Sequence, residues 1–240
     1  MRRLSREPLS SEAMHFLAER TQKVMAAADP SAEARRLWEQ KGRAFDEIRA
    51  ALEVMASGRE RCMYCEDSAG TDIEHFWPKA DYPQKAFTWT NYLLACSTCN
   101  SNHKREQFPR DASGLPLLID PTVDEPREHL RLSGSTGKFT HRTPKGVQSI
   151  EVFGLGRGIL EKGRQDAWDA LQGFLVAYDV ACSRQQWKRA RAVQRIVCRH
   201  PFASVFGWFM EATKSPAAGI LIDGHCLAVL AKYPDIQHWL

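Results

Sequence analysis

The feature that most restricts this 240-residue chain is a pair of thiol knuckles, Cys62-Met-Tyr-Cys65 and Cys96-Ser-Thr-Cys99, with 30 residues between them. A CxxC turn aims both sulfurs at one point, and zinc takes four tetrahedral sulfur ligands. Closing a loop of this length costs little more entropy than closing a short one. A redox-active CxxC is the competing reading, but two such pairs flanking one loop favour metal. We therefore expect a structural Zn²⁺ held by Cys62, Cys65, Cys96 and Cys99. With four protein thiolates there is no open position, so this ion holds the fold and does no chemistry. The total of seven cysteines is odd, which argues against a disulfide framework. Cys182, Cys198 and Cys226 read as buried thiols, and the expected compartment is the reducing cytoplasm.

A packed core needs no further staples, because 43% of the residues are hydrophobic and 26% charged. The N-terminal MRRLSREPLSSEAMHF has charge but no apolar run behind it, so it does not read as a secretory signal. No stretch reaches the roughly 20 apolar residues of a membrane span, and FASVFGWFM at 202–210 reads as core. The net charge of +4 is compatible with nucleic-acid binding without requiring it.

Three segments emerge. Residues 1–57 read as helical, with one helix opening near Ser10 and a second opening at Asp29-Pro30. That second helix carries an apolar stripe of Ala34, Leu37, Phe45, Ile48, Leu52 and Met55. Residues 58–110 change in texture to paired cysteines, aromatics and short β-like runs. In 111–240, turn signals separate HLRL, KFTHR and VQSIEVF, which predicts a small hairpin or meander; helices follow, with breaks at Pro201 and Pro216. The fold class is α+β, a metal-binding core set between helical segments.

Inside the loop lies DIEHFWPK at 72–79, followed by WTNYLLACSTCNSNHK at 89–104. This order resembles the HNH, or ββα-metal, endonucleases whose fold is pinned by a CxxC…CxxC zinc. In them an acidic residue precedes the first His, an Asn sits midway, and Asn or His follows the last Cys. The resemblance covers about residues 58–109 and implies phosphodiester hydrolysis in DNA or RNA with a second divalent ion, Mg²⁺ or Mn²⁺. The run IEVFGLGRGILEKGR at 150–164, with the EHFWPK form of the motif, is similar to the HNH proteins of bacterial antiphage systems such as Septu (PtuB) and certain retrons. That narrower likeness implies antiviral defence and an ATPase partner protein.

The residues support the chemistry on their own terms. A hard cation needs oxygen ligands and keeps several waters. Glu74 offers a carboxylate, Asn100 an amide oxygen, and Asp72, two residues earlier on the same strand face, is the alternative carboxylate. His75 can take a proton from water at neutral pH, as general base. On a strand Glu74 and His75 point to opposite faces, so they approach a phosphate from different sides. Asn91 reads as the residue that holds the loop backbone and so His75. Asn100 is expected to open a short helix through Gln107, with His103 and Lys104 as its neighbours. His103 reads as a second nitrogen ligand, a phosphate contact or neither; Lys104 reads as a phosphate-holding charge. Phe87, Trp77 and Trp89 read as core.

The segment RQQWKRARAVQRIVCRH at 184–200 carries six Lys/Arg and no acid. As a helix it sets Arg184, Lys188, Arg191, Arg195 and Arg199 on one stripe, and Trp187, Ala190, Val193, Ile196 and Val197 broadly opposite. A phosphate backbone or an acidic protein partner suits such a ridge. The rival to a nuclease is a zinc-binding adaptor for nucleic acid or protein that cuts nothing.

Overall fold

The computed structural model describes Met1–Leu240. Three helices come first: α1 (Ser11–Ala26), α2 (Pro30–Glu39) and α3 (Ala44–Met55). Ser10 caps α1 by accepting from the Ala13 amide at 3.1 Å, and Asp29 caps α2 by accepting from the Ala32 amide at 2.9 Å, with Pro30 in the first turn. The single helix expected to carry the stripe from Ala34 to Met55 is thus two helices. The break at residues 40–43 has a tertiary cause. The Arg20 guanidinium of α1 donates to the carbonyls of Leu37 and Gln40, satisfying the end of α2 from another helix.

Strands β1 (Asp72–His75) and β2 (Tyr92–Ala95) form an antiparallel hairpin, with Glu74 opposite Leu93 and His75 opposite Tyr92. After β2 the chain makes one wide helical turn of π type, Thr98–Lys104. A short helix α4 (Pro126–His129) leads into β3 (Leu130–Leu132), which pairs antiparallel with β4 (Phe139–His141). The run VQSIEVF, expected as a third strand, instead lies in helix α5 (Pro144–Val152) and the residue after it. Thr143 caps this helix by accepting from the Gly146 amide at 3.3 Å, and Gly146, Ser149 and Val152 recur every third position on its buried face. A Cβ at Gly146 would lie 2.0 Å from the His129 carbonyl oxygen, so only glycine lets α5 lie this close.

The remainder is helical: α6 (Gly158–Ser183), α7 (Trp187–Arg199), α8 (Ser204–Ala212), α9 (Ala218–Leu221) and α10 (Gly224–Lys232). One continuous apolar cluster joins Leu17 and Val24 of α1, Ile48 and Leu52 of α3, all four residues of β2, Leu171 and Leu175 of α6 and Phe206 and Phe209 of α8. The hairpin thus rests on helices drawn from both sides of it in sequence. No helix is long and apolar enough to cross a membrane.

Candidate active site

The four knuckle sulfurs lie within 4.8 Å of one another, all buried, and Cys65 Sγ sits 3.8 Å from Cys96 Sγ. Tetrahedral zinc with Zn–S bonds near 2.3 Å requires sulfurs about 3.8 Å apart, so the residues fit the ion. The Met63 amide donates to the Leu94 carbonyl at 2.8 Å, tying the first knuckle to β2. Four thiolates around Zn²⁺ would leave a net charge of −2 inside the protein, and two arginines from well downstream in the sequence stand beside the cysteines. Arg157 Nη2 donates to Cys99 Sγ at 3.4 Å. Arg164, fully buried, donates to the carbonyls of Gly137 at 2.6 Å and Leu155 at 2.8 Å, and burial lowers its guanidinium to about 10. The same stretch places Phe153 flat on Tyr64, ring centroids 3.9 Å apart. The run at 150–164 therefore closes over the cysteine knot.

Beside the knot, β1 borders a polar cleft of about 420 Å³ lined by Asp72, Glu74, His75 and Asn100 and by five cationic side chains, Arg35, Lys41, Arg49, Lys79 and Arg105. Asn100 Nδ2 donates to Asp72 Oδ2 at 3.1 Å, so the amide and this carboxylate stand side by side. Glu74 lies deeper, and burial raises its carboxyl against the opposing pull of Lys104. Lys104 Nζ is 2.6 Å from Glu74 Oε1 and donates to the His75 carbonyl at 2.9 Å. Asp72, Asn100 and Glu74 are the hard oxygen donors here, a set suited to a water-rich Mg²⁺ or Mn²⁺. The ligand atoms of Asp72, Glu74 and His75 do not cluster as the sulfurs do.

His75 is 6% exposed. Its Nε2 is 2.9 Å from the Ala86 carbonyl oxygen, which can only accept, so Nε2 carries the proton and Nδ1 keeps its lone pair. Burial, reinforced by Lys79, holds the imidazole down at about 3, so it is neutral at physiological pH. Trp38 meets the ring edge-on at 4.3 Å and Tyr92 at 5.3 Å, which fixes its plane. Asn91 does not face the cleft. It accepts from the Trp77 amide at 2.7 Å and donates to the carbonyls of Trp77 and Lys85 at 3.0 Å, bracing the loop that carries Ala86.

The wide turn sends Asn100, His103 and Lys104 in three directions. Asn100, in the turn rather than at its start, reaches the cleft. His103 packs against Gly154 outside the cleft: a Cβ there would lie 2.6 Å from the His103 ring. Lys104 is fully buried under Glu74 rather than presented to solvent. Phe87 and Trp89 are core, and Trp77 is half-buried against Phe108 and Tyr82. The chain leaves the turn through Arg105 at φ +50°, a conformation rare for a residue with a side chain, at the cleft rim.

Several contributors carry no signal in the sequence. Arg35, Lys41 and Trp38 belong to the N-terminal helical segment; Trp38 holds His75 while Lys41 sits 4.7 Å over its ring and Lys79 5.9 Å. Only Lys79, the last residue of DIEHFWPK, stood inside a motif.

No protein-family model matches the chain. Three relatives with matching sequence do. Over 150 residues, 50% of this chain and 50% of the relative, it is 30% identical to the Septu protein PtuB of Bacillus mycoides (strain KBAB4). Part of this chain is similar to PtuB. A second Septu protein PtuB, from Bacillus thuringiensis, is 33% identical over 111 residues, 44% of this chain and 40% of that protein. Protein ea31 of Escherichia phage lambda is 31% identical over 74 residues, 30% of this chain and 24% of its own length. The chain spans about half or less of the length of the curated relatives it matches.

Proposed function

We propose that the chain is an HNH endonuclease that hydrolyses phosphodiester bonds of DNA or RNA with Mg²⁺ or Mn²⁺, as the nuclease of an antiphage defence system acting with an ATPase partner. The observation that carries the reading is geometric: His75 lines the same cleft as Asp72, Glu74 and Asn100, with its Nε2–H held on the Ala86 carbonyl and Nδ1 left as the acceptor. Arg35, Lys41, Lys79 and Arg105 draw a phosphate into the cleft. His75 Nδ1 takes the proton from the attacking water. Trp38, Tyr92 and the Asn91-braced loop keep the ring from turning away. Asp72, Asn100 and Glu74 would hold the divalent ion, which supplies charge neutralisation at the phosphoryl and leaving oxygens. Lys104 acts through Glu74, by setting where its carboxylate lies. The similarity to the two Septu PtuB proteins supports the defence setting.

The test is a plasmid and RNA cleavage assay of the purified chain with Mg²⁺ or Mn²⁺, alone and with the proposed ATPase partner. Cleavage lost in His75→Ala, with zinc and fold retained, is the expected result. Equal cleavage by that variant assigns the base elsewhere.

A further inference from the structure

The basic ridge at α7 is left unused by the site, and its surroundings say more than its sequence. Arg184, Lys188, Arg189, Arg191, Arg195 and Arg199 are all exposed, and none forms an ion pair. The helix begins at Trp187, so Arg184 belongs to the connection from α6 and the stripe within α7 is Lys188, Arg191, Arg195 and Arg199. Ala190, Val193 and Val197 seat the helix on α6 and the core. Trp187 and Ile196, expected to share that packed side, are 56% and 48% exposed. An exposed indole among unpaired cations is a poor surface for water and a good one for a nucleobase or sugar face.

The ridge continues into the nuclease core. A hollow of about 310 Å³ is lined by Arg195, Ile196 and Arg199 of α7 together with Arg59 and Arg61, just ahead of the first knuckle. Gly58, at φ +67°, brings this arm against the end of α7: a Cβ there would lie 3.3 Å from the His200 carbonyl oxygen. The arm is anchored to the start of β1, since Arg61 bridges Ala69 and the Gly70 amide donates to the Glu60 carbonyl at 2.7 Å. Arg49 of the cleft wall then donates to the carbonyls of Gly70 at 2.9 Å and Thr71 at 2.6 Å. Glu60, exposed, is the acid on the arm itself.

We infer that α7 and the Arg59–Arg61 arm form a track for a nucleic-acid backbone that leads to the cleft. From Lys188 to Arg199 the helix rises about 16 Å, a length that spans several successive phosphates. Unpaired cations of one sign match a polyanion, and their continuity with a cationic cleft favours the same polyanion at both places. The inference rests on the nuclease reading only for the direction of the track, not for the contact itself.

The experiment measures binding of a fluorescent 30-base-pair DNA duplex and of a single-stranded RNA to the full chain, across a salt series without added divalent ion. The variant is Lys188→Gln/Arg191→Gln/Arg195→Gln, checked for native circular dichroism and zinc content. Losing three phosphate contacts should reduce the slope of log affinity against log salt by about 2–3 for the preferred polymer. His75→Ala should leave the slope as in the parent. An unchanged slope in the folded triple variant overturns the inference. So does an unchanged slope with lost capture of the partner protein, which would give the ridge to an acidic protein. A parent that cuts nothing yet shows the slope change leaves the track standing and removes the nuclease reading instead.

Discussion

Lys104 Nζ lies 2.6 Å from Glu74 Oε1, with the lysine side chain 1% and the glutamate side chain 5% exposed. A buried charge tolerates company and not solitude. Truncating the lysine strands a carboxylate in the protein interior and also frees the His75 carbonyl. Lys104→Met should cost about 3–5 kcal/mol of folding stability, as removal of one partner of a buried pair generally does. Glu74→Leu/Lys104→Met should recover much of that loss. Urea midpoints of the two variants check this; equal destabilisation in both would mean the lysine matters for reasons other than Glu74.

His75 makes the stability pH-dependent in a definite direction. The folded ring titrates at about 3 and an unfolded one near 6.5. Between those values the unfolded chain binds a proton that the folded chain does not. The contribution of the neutral ring is therefore fully present above about pH 6.5 and is lost as the pH falls towards 3. His75→Gln should flatten this part of the stability curve, measured by denaturant unfolding at several pH values. Identical curves for parent and variant would contradict the burial of the imidazole.

Arg157 should control how firmly zinc is held. Its Nη2 donates to Cys99 Sγ, and partners of metal ligands commonly change affinity by about 10–100-fold. Arg157→Gln should release zinc faster to a chromophoric chelator, and complete removal of the ion should unfold the hairpin region. Release at the parental rate would leave the arginine a purely packing role.

His103 and Gly154 form a packing pair rather than part of the cleft. Gly154 sits at φ +60°, and a Cβ there would meet the His103 ring at 2.6 Å. Gly154→Ala should cost about 1–3 kcal/mol, from overpacking together with backbone strain. His103→Ala should lower thermal stability while leaving the cleavage rate near the parental value. A large fall in rate at unchanged stability would return His103 to the site.

The four cysteines were legible in the sequence because their chemistry allows few arrangements and their spacing is local. The helix starts near Ser10 and at Asp29-Pro30 were legible for the same reason. What escaped was tertiary. Nothing near residue 40 announces that Arg20 will end α2, and nothing in VQSIEVF shows that Thr143 and the narrow Gly146 face will make it helical. The cleft divides the same way. DIEHFWPK and the Asn after the last knuckle could be read, but Trp38, Lys41 and Arg35 reach the cleft through folding alone. Lys104 read as a phosphate-holding charge because sequence gives the residue type and not the depth. On α7 the amphipathic pattern identified the buried side at Ala190, Val193 and Val197, yet Trp187 and Ile196 lie outside that packed face.

The most direct measurement is a single-turnover cleavage comparison of the parent chain and His75→Ala, both zinc-loaded, in Mg²⁺ or Mn²⁺ with the proposed ATPase partner present. Loss of a general base should slow cleavage by about 10²–10⁴-fold while zinc content and folding stay intact. Cleavage by the variant at the parental rate would contradict the account.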